Sequence, residues 1–381
     1  MVERSLAGRA AAVGVGTTAF GKLPGYDDYD LGVWALQEAL NDCGLAMADI
    51  DGLIVNRIAD YQRFGEIVGL NPRFVSITPG QGRMSGWCIE TAVMALATGM
   101  ARHVALVYGN NGRSAGDRYG GASDPYGSGG AGFWFPWGMT SPGAFHALMF
   151  QRHRELYGTE HRHLAHIAVT FRRHAALNPG AVMREPFSEA DYHASRYIAE
   201  PLHLLDYCLI NDGGVAMILT TADRARDLKQ PPVYVRGFAQ ATQLADSSFP
   251  PDDFWQAPMA QVARDLYPMA GVGAQDMDAL MIYDNFTPTV LFSLEGFGFC
   301  PVGESGPWVA DGRLALGGKL PANTSGGHLS ECYMQGWALN VEAVRQLRGQ
   351  CGERQVQGAR HIQYMCAAPL VTSIVYGRDP R

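Results

Sequence analysis

One seven-residue phrase occurs twice in this chain. Asp49-Ile-Asp-Gly-Leu-Ile-Val55 is matched by Asp276-Met-Asp-Ala-Leu-Met-Ile282, and each copy follows an amphipathic helix pattern. Each half also carries a glycine-containing turn that feeds a long helix. These are Gly80-Gln-Gly-Arg-Met-Ser-Gly86 in the first half and Asn323-Thr-Ser-Gly-Gly327 through Gly336 in the second. Two matches in the same order indicate an internal duplication. They predict two similar halves sharing one core, with the functional site where the turns of both halves meet. The expected boundary is the Pro231–Pro232 pair: a first half over 1–230, with an insertion at about 111–205, and a second half over 231–381.

Periodicity fills in the elements. Ala10–Val15 reads as a buried strand, Leu31–Leu45 as an amphipathic helix, and Asp51–Val55 as a short buried strand. Gly86–Met100 is apolar nearly all round, as a helix buried on all sides must be, and His103–Tyr108 follows it as a strand. Helices are expected over about 141–157 and 160–177, then a strand at Val215–Thr220. The second half repeats the alternation. Strands are predicted at Val233–Ala239, Asp278–Ile282, 358–364 and 370–377, with helices near 253–266, 288–296 and 333–347. Strand–helix alternation predicts an α/β fold with largely parallel sheets.

Composition narrows the function. Thirty Lys and Arg against 37 Asp and Glu give a net charge of −7, which argues against coating nucleic acid or an anionic membrane. The longest apolar stretch, Thr91–Ala101, is too short to span a bilayer. Seven cysteines without C-x-x-C or C-x-x-H spacing suggest a reduced, cytoplasmic setting and neither a disulfide framework nor structural zinc. His161, His163, His166 and His174 do not share one helix face and have no carboxylate among them, so they read poorly as a metal site. The glycine turns are neither G-x-G-x-x-G nor a P-loop, which speaks against a nucleotide cofactor.

The opening VGVGTTAFGK, the DIDGLIV phrase, DGGVAMILTT at Asp212–Thr221, YDNFT at Tyr283–Thr287 and NTSGGHLSE at Asn323–Glu331 together resemble the thiolase superfamily, in its lipid-transfer, sterol-carrier-type branch. The resemblance covers nearly the whole chain. It implies a five-layer αβαβα sandwich of two similar halves with an inserted loop domain. It also implies that the family's nucleophilic cysteine falls on Arg83, its histidine after the glycine pair on Tyr333, and its N-E-A-F asparagine on Tyr283. A cation at a helix N-terminus is locally unfavourable, so Arg83 requires an anionic partner or a different helix start. Cys366 sits where the family keeps its last cysteine, but Ala367, Ala368 and Pro369 replace the glycines that follow.

An isolated tyrosine in an α/β chain is usually a packing residue. Two tyrosines on superfamily active-site positions resemble the steroid side-chain aldolases, thiolase-fold enzymes that cleave a β-hydroxyacyl-CoA without a covalent intermediate. Retro-aldol cleavage needs one base, one acid and an oxyanion site. Tyr283 and Tyr333 are the candidates for acid and base, with His328 and Arg83 as supporting groups. The resemblance implies coenzyme A as part of the substrate and no cofactor held by this chain. It further implies a homodimer, and a complex with a small OB-fold/zinc-ribbon protein. Two rival readings stand beside it: a thiolase or C-acyltransferase using Cys88 or Cys366, and a non-catalytic acyl-CoA or lipid-binding scaffold. The aromatic run Phe133, Trp134, Phe135 and Trp137, behind a glycine-rich stretch, suits a wall for a bulky apolar acyl group.

Overall fold

The computed structural model describes residues 6–80, 84–117, 138–139, 141–245, 247 and 249–380. Arg83 and the aromatic run at 133–137 therefore lie outside the described residues. The first half runs β1 (Ala10–Thr17), α1 (Asp28–Cys43), β2 (Gly52–Asn56), α2 (Tyr61–Val68), β3 (Phe74–Thr78), α3 (Met84–Ala97) and β4 (His103–Asn110). The chain then leaves the sheet for α4 (Gly112–Ala115), α5 (Pro142–Tyr157), α6 (His161–Ala176), α7 (Glu189–Ala194), β5 (Tyr197–Ala199) and β6 (Leu202–His203). It returns at β7 (Gly213–Thr221) and α8 (Ala222–Ala225). The second half follows as β8 (Val233–Thr242), α9 (Gln256–Ala270), β9 (Ala279–Ile282), α10 (Thr287–Gly296), α11 (Ser305–Ala310), α12 (Gly327–Ser330), α13 (Trp337–Arg348), β10 (His361–Cys366) and β11 (Leu370–Gly377).

Among the described residues, nine strands pair in the order β3-β2-β4-β7-β1-β8-β11-β10-β9. The two halves join where β1 pairs β8 through Ala11 and Ala12. The duplication is visible in the topology. β2 is parallel to β4, and β9 is parallel to β10. β7 runs antiparallel between β4 and β1, as β11 does between β10 and β8. The counterpart of β3 shrinks to a single parallel bridge, Leu280 to Ala322.

Even the local chemistry is repeated. The Asp51 carboxylate accepts the backbone N–H groups of Arg102 and His103 at the start of β4, and the Asp278 carboxylate accepts those of Arg360 and His361 at the start of β10. Both aspartates belong to the repeated phrase, so its polar positions tie one strand to its parallel neighbour.

The sheet is less parallel than alternation predicts, since five of its eight strand pairings are antiparallel. The reason is local at one end and remote at the other. Ala367–Pro369 is too short for a crossover, so β11 must fold back on β10. The long excursion between β4 and β7 leaves the direction of β7 free.

α3 and α13 pack against strands of both halves, while α1 covers the outer face of the first half and α9 that of the second. That gives the helix, sheet, helix, sheet, helix stacking. Most apolar residues of the central layer are fully removed from water, among them Ile89, Val93, Leu339 and Val344. Each such side chain contributes roughly 1.5–3 kcal/mol of burial. α3 is not buried on all sides as its sequence predicts: Trp87 and Thr91 are half-buried and Met94 is exposed along one face. Trp337 donates its indole N–H to Oδ1 of Asn56 at 2.8 Å, joining the start of α13 to the end of β2.

Candidate active site

The NTSGG turn is built by its own side chains. Asn323 sits in the left-handed region at φ +45, which asparagine tolerates better than most residues. Its carboxamide accepts the Ile282 N–H at 2.7 Å and donates to the Ile282 carbonyl at 2.8 Å, extending β9 sideways without a strand. Gly326 and Gly327 follow at φ +107 and +60. A Cβ on Gly327 would collide with the Asp284 and Asn323 side chains, so both backbone angle and space require glycine there. Two groups hold the turn from outside. Asn178, just past α6, donates to the Ser325 carbonyl and to Glu331 at 3.0 Å each, and Thr324 donates to Glu342 of α13 at 2.8 Å.

This turn aims α12 and the segment after it at the end of β9, and there the two tyrosines meet. The hydroxyls of Tyr283 and Tyr333 are 2.8 Å apart. Tyr283, the first residue after β9, is buried, and burial together with the neighbouring Tyr333 holds its phenol well above the ordinary tyrosine range. Tyr333 is half-buried, on the open side of the pair. Its backbone N–H donates to Oδ1 of Asn211 at 2.7 Å.

His328 stacks edge-on to both rings, with centroids 4.6 Å from Tyr283 and 5.1 Å from Tyr333. Its Nε2 accepts the Gly336 N–H at 3.0 Å, so that nitrogen presents a lone pair and Nδ1 carries the proton. Burial pushes its pKa down to about 3. Nδ1 lies 3.3 Å from Oδ1 of Asp284 but is not aligned for a hydrogen bond. Burial raises Asp284 to about 8, against the backbone N–H bonds of His328 and Leu329 that favour its carboxylate. With Nε2 accepting a backbone N–H and burial disfavouring its charged form, His328 supplies no cation to the tyrosines; it fixes where the 333–336 segment runs.

Gly336 explains why α13 begins at Trp337 and not near 333. Gln335 and Gly336 have φ +50 and +89, and a Cβ on Gly336 would strike the Tyr364 hydroxyl and Ser85. Ser85 and Tyr364 are themselves hydrogen-bonded at 2.9 Å, which brings the first turn of α3 to the same place. α3 starts at Met84, directly after Arg83.

The cysteines separate. Cys366 ends β10, buried beside Tyr283, whose ionisation it disfavours. Cys88 lies inside α3 with Sγ 3.4 Å from Oγ1 of Thr78, and burial pushes its thiol up to about 12. No thiolate forms there at neutral pH. Among the described residues no group of His, Cys, Asp or Glu is arranged to hold a metal ion. His161, His163 and His174 each spend a ring nitrogen on a backbone group.

Asn211 and Asp284 were not singled out from sequence, although both lie in or beside the quoted motifs. Asp284 adjoins Tyr283 in YDNFT, and Asn211 precedes DGGVAMILTT. Their side chains act on backbone groups 44 and 122 residues away, a separation no local pattern encodes.

Residues 240–366 match the family model described as thiolase C-terminal domain-like. The chain is 37% identical over 363 residues to the steroid side-chain-cleaving aldolase of Thermomonospora curvata, covering 90% of this chain and 91% of that one. It is 37% identical over 386 residues to the 17-hydroxy-3-oxo-4-pregnene-20-carboxyl-CoA lyase of Mycobacterium tuberculosis, covering 97% and 98%. Among solved structures, an Ltp2-ChsH2(DUF35) aldolase superposes with a TM-score of 0.89 at 34% identity over 98% of both chains. Human mitochondrial 3-ketoacyl-CoA thiolase superposes at 0.71 with 13% identity, a likeness of fold. The chain belongs to the thiolase superfamily, in the branch of the steroid side-chain-cleaving aldolases, and is a carbon–carbon lyase.

Proposed function

We propose that this chain catalyses retro-aldol cleavage of a β-hydroxyacyl-CoA with a bulky cyclic, steroid-derived acyl part, giving a ketone or aldehyde and a shorter acyl-CoA. The observation that carries the reading is the 2.8 Å contact between the Tyr283 and Tyr333 hydroxyls. Tyr333, on the open side, takes the proton of the β-hydroxyl as its oxygen becomes the product carbonyl. The Cα–Cβ bond breaks, and its electron pair passes to the thioester as an enolate. Tyr283, held as a phenol by burial, gives its proton to Cα. The proton gained by Tyr333 then crosses the short hydrogen bond to Tyr283, which restores both groups.

A phenolate at Tyr333 needs donors. Tyr283 is one, and Arg83, next to Met84 of α3, is proposed as the cation. His328 positions Tyr333 through Gly336. The acyl-CoA substrate is supported by the Mycobacterium tuberculosis relative, a carboxyl-CoA lyase. A small OB-fold/zinc-ribbon partner is supported by the DUF35 component of the superposed Ltp2-ChsH2(DUF35) aldolase. A homodimer through β3 is supported by Val75 and Ile77, exposed on the outermost strand of the sheet. The test is to incubate the chain, alone and with its partner, with a β-hydroxyacyl-CoA and to follow both products by chromatography. Absence of cleavage in both preparations would sink the reading.

A second reading, acyl transfer, rests on the position of Cys366 beside Tyr283. Intact mass after incubation with acyl-CoA separates the two, because only acyl transfer leaves an adduct on the cysteine.

A further inference from the structure

The wall of the site runs on into an aromatic cluster. Residues 207–211 lie along it: Asn211 holds the Tyr333 N–H, Leu209 donates its N–H to the His328 carbonyl at 3.0 Å, and Cys208 donates to the Asn285 carbonyl at 3.0 Å. Tyr207 pairs Phe286 in an isolated antiparallel bridge at the far end. Asn211 lies four residue steps from Tyr207, roughly 13 Å at an extended rise.

At that end Phe286 lies against the rings of His146, 4.2 Å away, and Tyr207, 5.0 Å away and edge-on, and Trp255 lies 5.9 Å from His146. Among the described residues, two polar atoms inside this apolar cluster lack a full set of partners: Nε2 of His146 has none, and the Tyr207 hydroxyl has only the nearby Ala199 backbone N–H, to which it cannot donate. Buried polar groups are almost always paired, so an unmet acceptor and an unmet donor in one cluster beside a site require an explanation. Their chemistry is complementary. Nδ1 of His146 lies 2.8 Å from the Pro142 carbonyl, which can only accept, so Nδ1 holds the proton and Nε2 is an acceptor. Burial keeps that ring neutral, with its pKa lowered to about 4. The Tyr207 hydroxyl is a free donor. A ring hydroxyl can donate to Nε2 of His146, and a ring hydroxyl or a ring ketone can accept from the Tyr207 hydroxyl.

We infer that His146 and Tyr207 select the acyl group by hydrogen-bonding an oxygen substituent on its ring system, at the end remote from the thioester. The inference rests on the bulky-acyl lyase reading and names what that site recognises. The test uses fused-ring acyl-CoAs that lack the β-hydroxyl and so cannot be cleaved, bearing a ring hydroxyl, a ring ketone or neither. Titration calorimetry measures their Kd with the full chain and with Tyr207→Phe and His146→Phe, each checked for folding by thermal denaturation. The expected wild-type preference for an oxygenated ring over the bare ring is tenfold or more. Tyr207→Phe removes it for both oxygenated rings, and His146→Phe for the hydroxyl alone. Equal affinities in the wild type, or a preference that survives both substitutions, overturns the inference and leaves a buried water as the partner of these atoms. Because no cleavage is measured, a failed lyase assay and a failed affinity ratio are separate results.

Discussion

The Gly336 N–H donates to Nε2 of His328 at 3.0 Å, and that bond decides which ring nitrogen carries the proton. It also ties the buried end of α12 to the turn that leads into α13, with Tyr333 between them. The histidine is therefore a neutral strut.

Its pH signature follows. His328 is driven to about 3 in the folded state from an ordinary 6.5. Between these values the unfolded chain binds the extra proton, so the stability His328 contributes is complete above about 6.5 and is lost as pH falls toward 3. The difference in urea-unfolding free energy between wild type and His328→Gln should shrink as pH is lowered from 7.5 to 5. A difference that grows over that range contradicts the neutral assignment.

Tyr283→Phe and Tyr333→Phe should each lower kcat by about 10²–10⁴, the usual contribution of acid–base catalysis. Because the two act as one proton-passing unit, the double variant should lose little more than either single one. Steady-state kinetics on the four proteins measures this, and thermal denaturation confirms the fold. Full activity in the double variant removes the tyrosines from the mechanism.

Gly327→Ala should lower stability by about 1–3 kcal/mol or more, since it meets both a positive φ and the Asp284 and Asn323 side chains. Activity should fall with it, because the same turn delivers Tyr333. Chemical denaturation and product formation are the two readouts; a variant of wild-type stability would show that the turn has another way to fold.

Cys88→Ala should keep kcat within about threefold and cost about 1 kcal/mol, as expected for a small buried side chain. Its thiol is raised to about 12 by burial and faces Thr78. Loss of turnover together with loss of an acyl adduct by mass spectrometry would restore the acyltransferase reading.

Much of the architecture was legible because burial leaves a periodic trace. The apolar circumference of residues 86–100 announced a central-layer helix, and α3 occupies Met84–Ala97. The repeated Asp-x-Asp phrase announced equivalent strands, and β2 and β9 carry the same aspartate device. Strand direction was not legible, since period-2 burial is the same for parallel and antiparallel neighbours. The start of α13 was missed because the left-handed angles at Gln335 and Gly336 interrupt an apolar pattern that itself continues. β3 leaves no comparable trace in the sequence, because it is an outer strand with Val75 and Ile77 exposed and so lacks the buried run of the central strands.

The sequence by itself determined that the chain is two copies of one α/β plan, and that tyrosines stand at positions where the resembled family keeps an asparagine and a histidine. Only the tertiary structure decided that their hydroxyls touch, that His328 is neutral, and that Asn211 reaches across 122 residues to hold Tyr333. The reason is physical. Local sequence records which face of an element avoids water, whereas a contact between two loop ends depends on the angles at a few glycines and on how separate elements pack, and no periodic signal carries either.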